Sequence, residues 1–160
     1  MKVFLLPRFF FMVSSNIIAI ASDQKEYELK TKICQHLSEQ ERFISFSVLD
    51  LGGNNNQQVD YPDIANLLCD TIINNRARYG ILICTTGIGM SIAANRHSDI
   101  RAALCFNEYM AEQSRLHNNA NILIIGAKVS NFRSVINMIS KFITTKFEGG
   151  RHLTRLEKLR

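Results

Sequence analysis

The sequence predicts an α/β fold: a three-layer α/β/α Rossmann-like sandwich with a five-stranded parallel sheet and a C-terminal helix. Three observations predict it. Short β-branched runs alternate five times with stretches whose apolar residues recur every three to four positions. One run, Tyr79–Cys84 (YGILIC), is almost wholly apolar, as a parallel strand covered on both faces should be. Glycines and short polar residues follow most of the runs, where the chain must turn.

Residues 16–21 (NIIAIA) form the first expected strand, ended by Ser22 and Asp23. From 26 to 40, Leu29, Ile33 and Leu37 fall four apart beside Cys34, which gives a helix one apolar face. Residues 46–51 make a second strand, stopped by Gly52 and Gly53, and 54–58 a polar loop. Pro62 opens the next helix, where it loses no hydrogen bond, with Ile64, Leu67, Leu68 and Ile72 on one side. After the third strand, Tyr79–Cys84, comes a small-residue turn at 85–89 and a helix at 90–96. A strand at 102–106, a helix at 108–117 and a strand at 121–126 (NILIIG) follow. Val135, Met138, Ile139 and Phe142 mark another helix, and the tail after Gly149 and Gly150 a short last one. Right-handed crossovers make this a doubly wound sheet, and such sheets bind ligands beyond the carboxyl ends of their strands. The loops at 22–25, 52–60, 85–89, 106–107 and 127–130 are therefore where a site is expected.

At 160 residues and 46% hydrophobic content the chain suits one folded domain. Residues 16–160 are assigned to it, and 1–15 to an N-terminal extension outside the fold. The first 13 residues are basic and apolar like a leader, but Pro7 and Arg8 interrupt them. The run is too short to span a bilayer, so no membrane is expected, and Met12 is an alternative start. The net charge of +5 comes with no long basic run; Arg151, Arg155, Lys158 and Arg160 form a local basic tail. Such a tail fits a small anion or a partner contact better than nucleic acid, which is not expected. Cys34, Cys69, Cys84 and Cys105 show neither C-x-x-C spacing nor zinc-ligand spacing to a histidine. Three of them sit in apolar stretches and read as reduced core thiols, which points to the cytoplasm.

The chemistry concentrates at residues 84–91 (CTTGIGMS), where a thiol ends a buried strand just before a helix. Helix N-termini carry free N–H groups and partial positive charge, so the Cys84 thiol is expected to fall from about 8.5 toward neutrality. Gly87 and Gly89 let backbone N–H groups approach a phosphate or an enediolate oxygen. On these residues alone, a capping turn beside a buried cysteine is an equal reading. G-x-G is also short of the dinucleotide fingerprint, because position 92 is Ile.

Longer words break the tie. SD at 22–23, VDYPD at 59–63, GILICTTGIGMSIAAN at 80–95, IRAALC at 100–105, HNNAN at 117–121 and FEGGRHLTRLEK at 147–158 occur in this order. Over about residues 16–158 the chain resembles the ribose-5-phosphate isomerase B and galactose-6-phosphate isomerase family. The resemblance implies an aldose–ketose isomerase of the non-oxidative pentose phosphate pathway, interconverting D-ribose 5-phosphate and D-ribulose 5-phosphate with no metal or other cofactor. It implies Cys84 as the base at C1 and C2, Thr86 as a proton shuttle between the substrate oxygens, and His117 with Asp23 for ring opening. The backbone of Gly87, Ile88, Gly89, Met90 and Ser91 would hold the enediolate, Asn118 and Tyr61 would line the pocket, and Arg151 and Arg155 would clamp the phosphate. His152 is a candidate neighbour of that phosphate; His36 and His97 receive no role. It also implies a homodimer or tetramer, with His117 and Asn118 entering the neighbour's site.

Three positions depart from the family's pattern. Gln24 stands where a phosphate-binding histidine is usual, and it donates a hydrogen bond without charge. Thr85 replaces a glycine after the cysteine, and would strain the loop if that position needs a positive φ. Lys128 replaces an arginine, keeping charge but losing the fork. These departures leave two competing readings: a six-carbon substrate (allose 6-phosphate or galactose 6-phosphate), and a sugar-phosphate binder without turnover.

Overall fold

The structure, a computed structural model, describes residues 16–52 and 59–159. The expected extension at 1–15 and the polar loop at 54–58 lie outside the described residues. Five strands form: β1 (Ile17–Ser22), β2 (Ser47–Asp50), β3 (Tyr79–Cys84), β4 (Ala102–Cys105) and β5 (Ile122–Gly126). Six α-helices alternate with and follow them: α1 (Tyr27–Glu39), α2 (Tyr61–Ile73), α3 (Ile88–Ala94), α4 (Glu108–Asn118), α5 (Phe132–Thr144) and α6 (Arg151–Glu157). The sheet is wholly parallel, in the order β2-β1-β3-β5-β4. The predicted α/β sandwich with five parallel strands and a last helix is the fold observed.

The central strand explains the sheet. Ile81, Leu82 and Ile83 of β3 are wholly buried, each contributing roughly 1.5–3 kcal/mol relative to exposure. Alternation sends Tyr79, Ile81 and Ile83 into one core with α1, α5 and Ala111 of α4. Leu82 and Cys84 go to the other, with α2, Met90 and Ala94. Gly80 allows α2 to sit down on β3, because a Cβ there would overlap Leu68. On the first face Lys30 is fully buried, and its ammonium donates to Asp50 Oδ1 and Gly52 O. That ion pair ties α1 to the end of β2.

Ends differ from expectation by one or two residues, because caps rather than apolar periodicity set them. The helix expected at 90–96 starts at Ile88 and stops at Ala94. Asn95 then turns its amide onto Ala102, accepting from its N–H and donating to its carbonyl, each at 2.9 Å. Short 3-10 turns at Gln24–Glu26, Glu41–Phe43 and Ala127–Val129 were not foreseen. Asn107 caps α4, accepting the Met110 N–H at 2.9 Å, and Asn119 ends it at φ 45°. Thus α4 starts at the carboxyl end of β4 and finishes at the amino end of β5.

The chain leaves β1 toward one edge for β2, and from β3 onward builds toward the other. The switch point lies between β1 and β3. Ser22 is in register with Ile83, so residue 23 emerges beside residue 84. Among the described residues no helix is long and apolar enough to cross a membrane.

Candidate active site

Cys84 closes β3, in register with Gly126 of β5, and is 8% exposed. Asp23 follows β1; its N–H donates to Ile83 O at 3.1 Å, and its Oδ1 accepts the Glu26 N–H at 3.1 Å. The same carboxylate lies within hydrogen-bond reach of the Cys84 thiol. The expectation of a lowered thiol is corrected here. Burial pushes the Cys84 thiol above its ordinary value; the Gly87 N–H opposes this, and Asp23 adds to it. The helix does not offset these effects: burial is the largest of them, and α3 begins only at Ile88, four residues beyond the thiol.

Asp23→Asn is therefore expected to move alkylation of Cys84 to lower pH, because a neighbour that disfavours the thiolate is gone. Iodoacetamide labelling rates against pH, read by peptide mass spectrometry, test this. The thiols of Cys34, Cys69 and Cys105, pushed up to about 11, 12 and 11, serve as slow internal references. An unmoved Cys84 profile would contradict the assigned contact.

The turn after Cys84 is built by close approaches. Gly87 sits at φ 81°, and a Cβ there would lie 2.5 Å from Leu104 Cδ1. At Gly89 a Cβ would meet the Tyr61 ring at 2.7 Å, so the first residue of α2 lies over this turn. The Ile88 N–H donates to Thr86 Oγ1 at 3.3 Å, and the Ser91 N–H to Gly87 O at 3.0 Å. The N–H groups of Gly89 and Met90 have no acceptor inside the helix, as first-turn geometry requires. The Met90 side chain is fully buried in the core, so only its backbone faces the turn.

Thr85 does not strain the loop. Among the described residues, positive φ outside glycine occurs at Asn75 and Asn119. The Thr85 hydroxyl instead donates to Glu26 Oε1 at 3.1 Å, and its carbonyl accepts the Lys128 N–H at 3.1 Å. Gln24 is exposed in the turn after Asp23. The Lys128 side chain lines a groove of about 520 Å³ together with Lys25 and Lys32. The carboxyl edge of the sheet thus gathers Asp23, Gln24, Tyr61, residues 84–91 and Lys128.

His117, Asn118, Arg151 and Arg155 gather elsewhere. His117 and Asn118 occupy the last turn of α4, at the amino edge of a sheet whose β5 alone spans about 15 Å. His117 stacks on buried His152, ring centroids 4.2 Å apart and planes at 9°. Both Nε2 atoms lie 3.8 Å from Glu148 Oε2, and the Glu148 N–H donates to Leu116 O. Arg151 and Arg155 are exposed on α6, one turn apart, and their charge reaches His152. Asn118 lines a cavity of about 590 Å³ between the β4 edge and Leu153 and Leu156 of α6.

The expected residues therefore fall into two half-sites on opposite edges of one chain. Sequence reasoning missed Glu26 and Glu148. Asp23 and Glu26 have the spacing of a capping box, and Glu148 and His152 a four-residue spacing, and these were the available signals.

A family model described as Ribose/Galactose Isomerase matches residues 18–159. A Rickettsia conorii protein named "Putative sugar phosphate isomerase" is 54% identical, over 89% of this chain and 96% of its own. Ribose-5-phosphate isomerase B of Escherichia coli is 35% identical, over 89% and 93%. The crystal structure of a Thermotoga maritima ribose 5-phosphate isomerase superposes with a TM-score of 0.84 at 43% identity, over 90% of this chain and 97% of that one.

Proposed function

The chain belongs to the ribose/galactose isomerase family, and from that premise we propose that it interconverts D-ribose 5-phosphate and D-ribulose 5-phosphate with Cys84 as the base. One observation carries the reading: a thiol at the end of the central strand touches a carboxylate and is followed by a turn with outward N–H groups. A proton beside a carbonyl is weakly acidic, so its removal needs a poised base and charge stabilisation on oxygen. Cys84 takes the C2 proton of the open-chain aldose and returns it to C1. The N–H groups of the Gly87–Ser91 turn hold the enediolate oxygen meanwhile. The exposed Thr86 hydroxyl passes a proton between O1 and O2. The reaction conserves atoms and electrons within the substrate. Asp23 works with His117 in opening the ring.

The separation of the half-sites supports self-association. A second copy would bring His117, Asn118, Arg151 and Arg155 to the Cys84 edge, and a two-fold axis would complete two such sites at once. Tyr61, packed on Gly89, would wall the pocket. Gln24 and Lys128 would assist at the phosphate, whose charge falls chiefly on the two arginines. The four unpaired cysteines support a reducing, cytoplasmic setting.

Turnover of ribose 5-phosphate by the purified chain tests the reading, with allose 6-phosphate and galactose 6-phosphate beside it. Conversion of none of the three would defeat it; preference for a hexose phosphate would move the substrate but keep the mechanism. Arg151→Ala and Arg155→Ala are each expected to raise KM by about tenfold or more, the scale of one charge-assisted hydrogen bond, with a smaller change in kcat. Steady-state kinetics showing unchanged KM in both variants would remove the phosphate clamp.

A further inference from the structure

Asn119 and Asn121 belong to the HNNAN word at 117–121 but have no part in the proposed chemistry, yet both are pinned by hydrogen bonds. We infer that Asn119, gripped by Arg101 and Arg115, is a positioning residue that holds His117 and Asn118 in place at the amino-edge half-site. Asn119 ends α4 in the left-handed region, at φ 45° and ψ 42°. Its N–H donates to Arg115 O at 3.2 Å. Its carbonyl accepts from Arg101 Nε at 3.0 Å, and its side-chain Oδ1 accepts from Arg115 Nη1 at 2.8 Å. Two of these three bonds come from charged donors, the stronger kind. Together they fix the residue that directly follows His117 and Asn118.

Arg115 carries the hold into the core. It is 5% exposed, and besides Asn119 its guanidinium donates to Ala120 O, to Thr145 O at 3.4 Å and to the Tyr79 hydroxyl at 3.3 Å. All four acceptors are neutral. The charge is met instead by the ring of Tyr79, 4.9 Å away, and by the negative end of α4. Tyr79 opens the central strand, and Thr145 follows α5 on the way to Glu148 and α6. One planar fork thus joins the end of α4 to β3 and to the segment that carries both arginines of the clamp. Arg101 extends the frame to the sheet edge, where its own N–H donates to Asn121 Oδ1 at 2.8 Å.

Asn118 is exposed, and the His117 side chain is 39% exposed. The turn they end in, more than burial, therefore sets where they point. The effect on turnover rests on the roles proposed for His117 and Asn118. A displacement of about 1 Å at such groups costs up to about a hundredfold in rate.

Asn119→Gly in the full chain tests the hold. Glycine keeps the left-handed turn, and Arg115 keeps its other three acceptors, so the melting temperature is expected to fall by no more than about 4 °C. By contrast kcat for ribose 5-phosphate is expected to fall by about tenfold to a hundredfold. Asn119→Asp returns an acceptor to Arg115 and is expected to bring kcat back to within about threefold of wild type. Imidazole NMR signals of the histidine-labelled chain give a second readout that needs no activity. In Asn119→Gly the His117 signals are expected to move while those of His36 and His97 stay in place. Unmoved His117 signals overturn the assignment. So does a glycine variant of an active chain with kcat within about twofold of wild type, or an equal loss in the glycine and aspartate variants. A wild-type chain that converts none of the sugar phosphates ends the isomerase reading instead, and the His117 signals alone then decide whether Asn119 holds the turn.

Discussion

Alanine at position 84 is expected to lower kcat for ribose 5-phosphate isomerisation by about a thousandfold, the middle of the range for losing a positioned base, with the circular dichroism of the fold retained. Cys84 is the last residue of a strand paired on both sides, and its thiol is small. Truncation therefore removes the reacting atom and leaves only a slight void. The N–H groups of the following turn remain, so the residual rate reports what they contribute alone. Because the thiol sits above its ordinary value in the free chain, wild-type kcat/KM is expected to rise with pH through neutrality. In the proposed mechanism the base is the thiolate, and its population grows as pH approaches the raised value. Stopped-time product assays over a pH series read both effects. A Cys84→Ala chain with more than a tenth of wild-type kcat would end the assignment of the base.

The second large effect concerns two inactive chains made active by mixing. Cys84→Ala damages the carboxyl-edge half-site, and His117→Ala the amino-edge half-site. If each site joins one half from each copy, a mixed dimer contains one doubly damaged site and one intact site. Random re-pairing makes half the dimers mixed, so about a quarter of wild-type activity is expected to return. Co-refolding the two variants and assaying against each alone measures it. Were both residues drawn from the same chain, mixing would restore nothing.

Much of this architecture is legible in the sequence because the strands are apolar runs with abrupt ends. YGILIC reads as a strand buried on both faces and the glycines after it as a turn, and the buried β3 and Gly87 at φ 81° bear both out. What the sequence does not display is contact across distance. The thiol's environment depends on Asp23, sixty-one positions away, and local helix chemistry pointed the other way. Tyr61 reads as packing beside Pro62 until it is found against Gly89. His117 reads as a helix-end histidine, yet its neighbours are His152 and Glu148, brought there by the path of α5 and the chain beyond it. Periodicity reports which face of an element is covered; it carries no record of which element does the covering.

The hydrogen bond between Thr85 and Glu26 links the histories of two positions. Glu26 is a carboxylate only 8% exposed, and the Thr85 hydroxyl donates to it. Restoring the family's usual glycine at 85 alone would strip a buried acceptor of that donor, a cost of about 1–3 kcal/mol. Changing both together removes the deficit with its cause. Substitution at either site is thus conditional on the other: Thr85→Gly is expected to destabilise a chain that keeps Glu26 and to cost little in one that also carries Glu26→Ala.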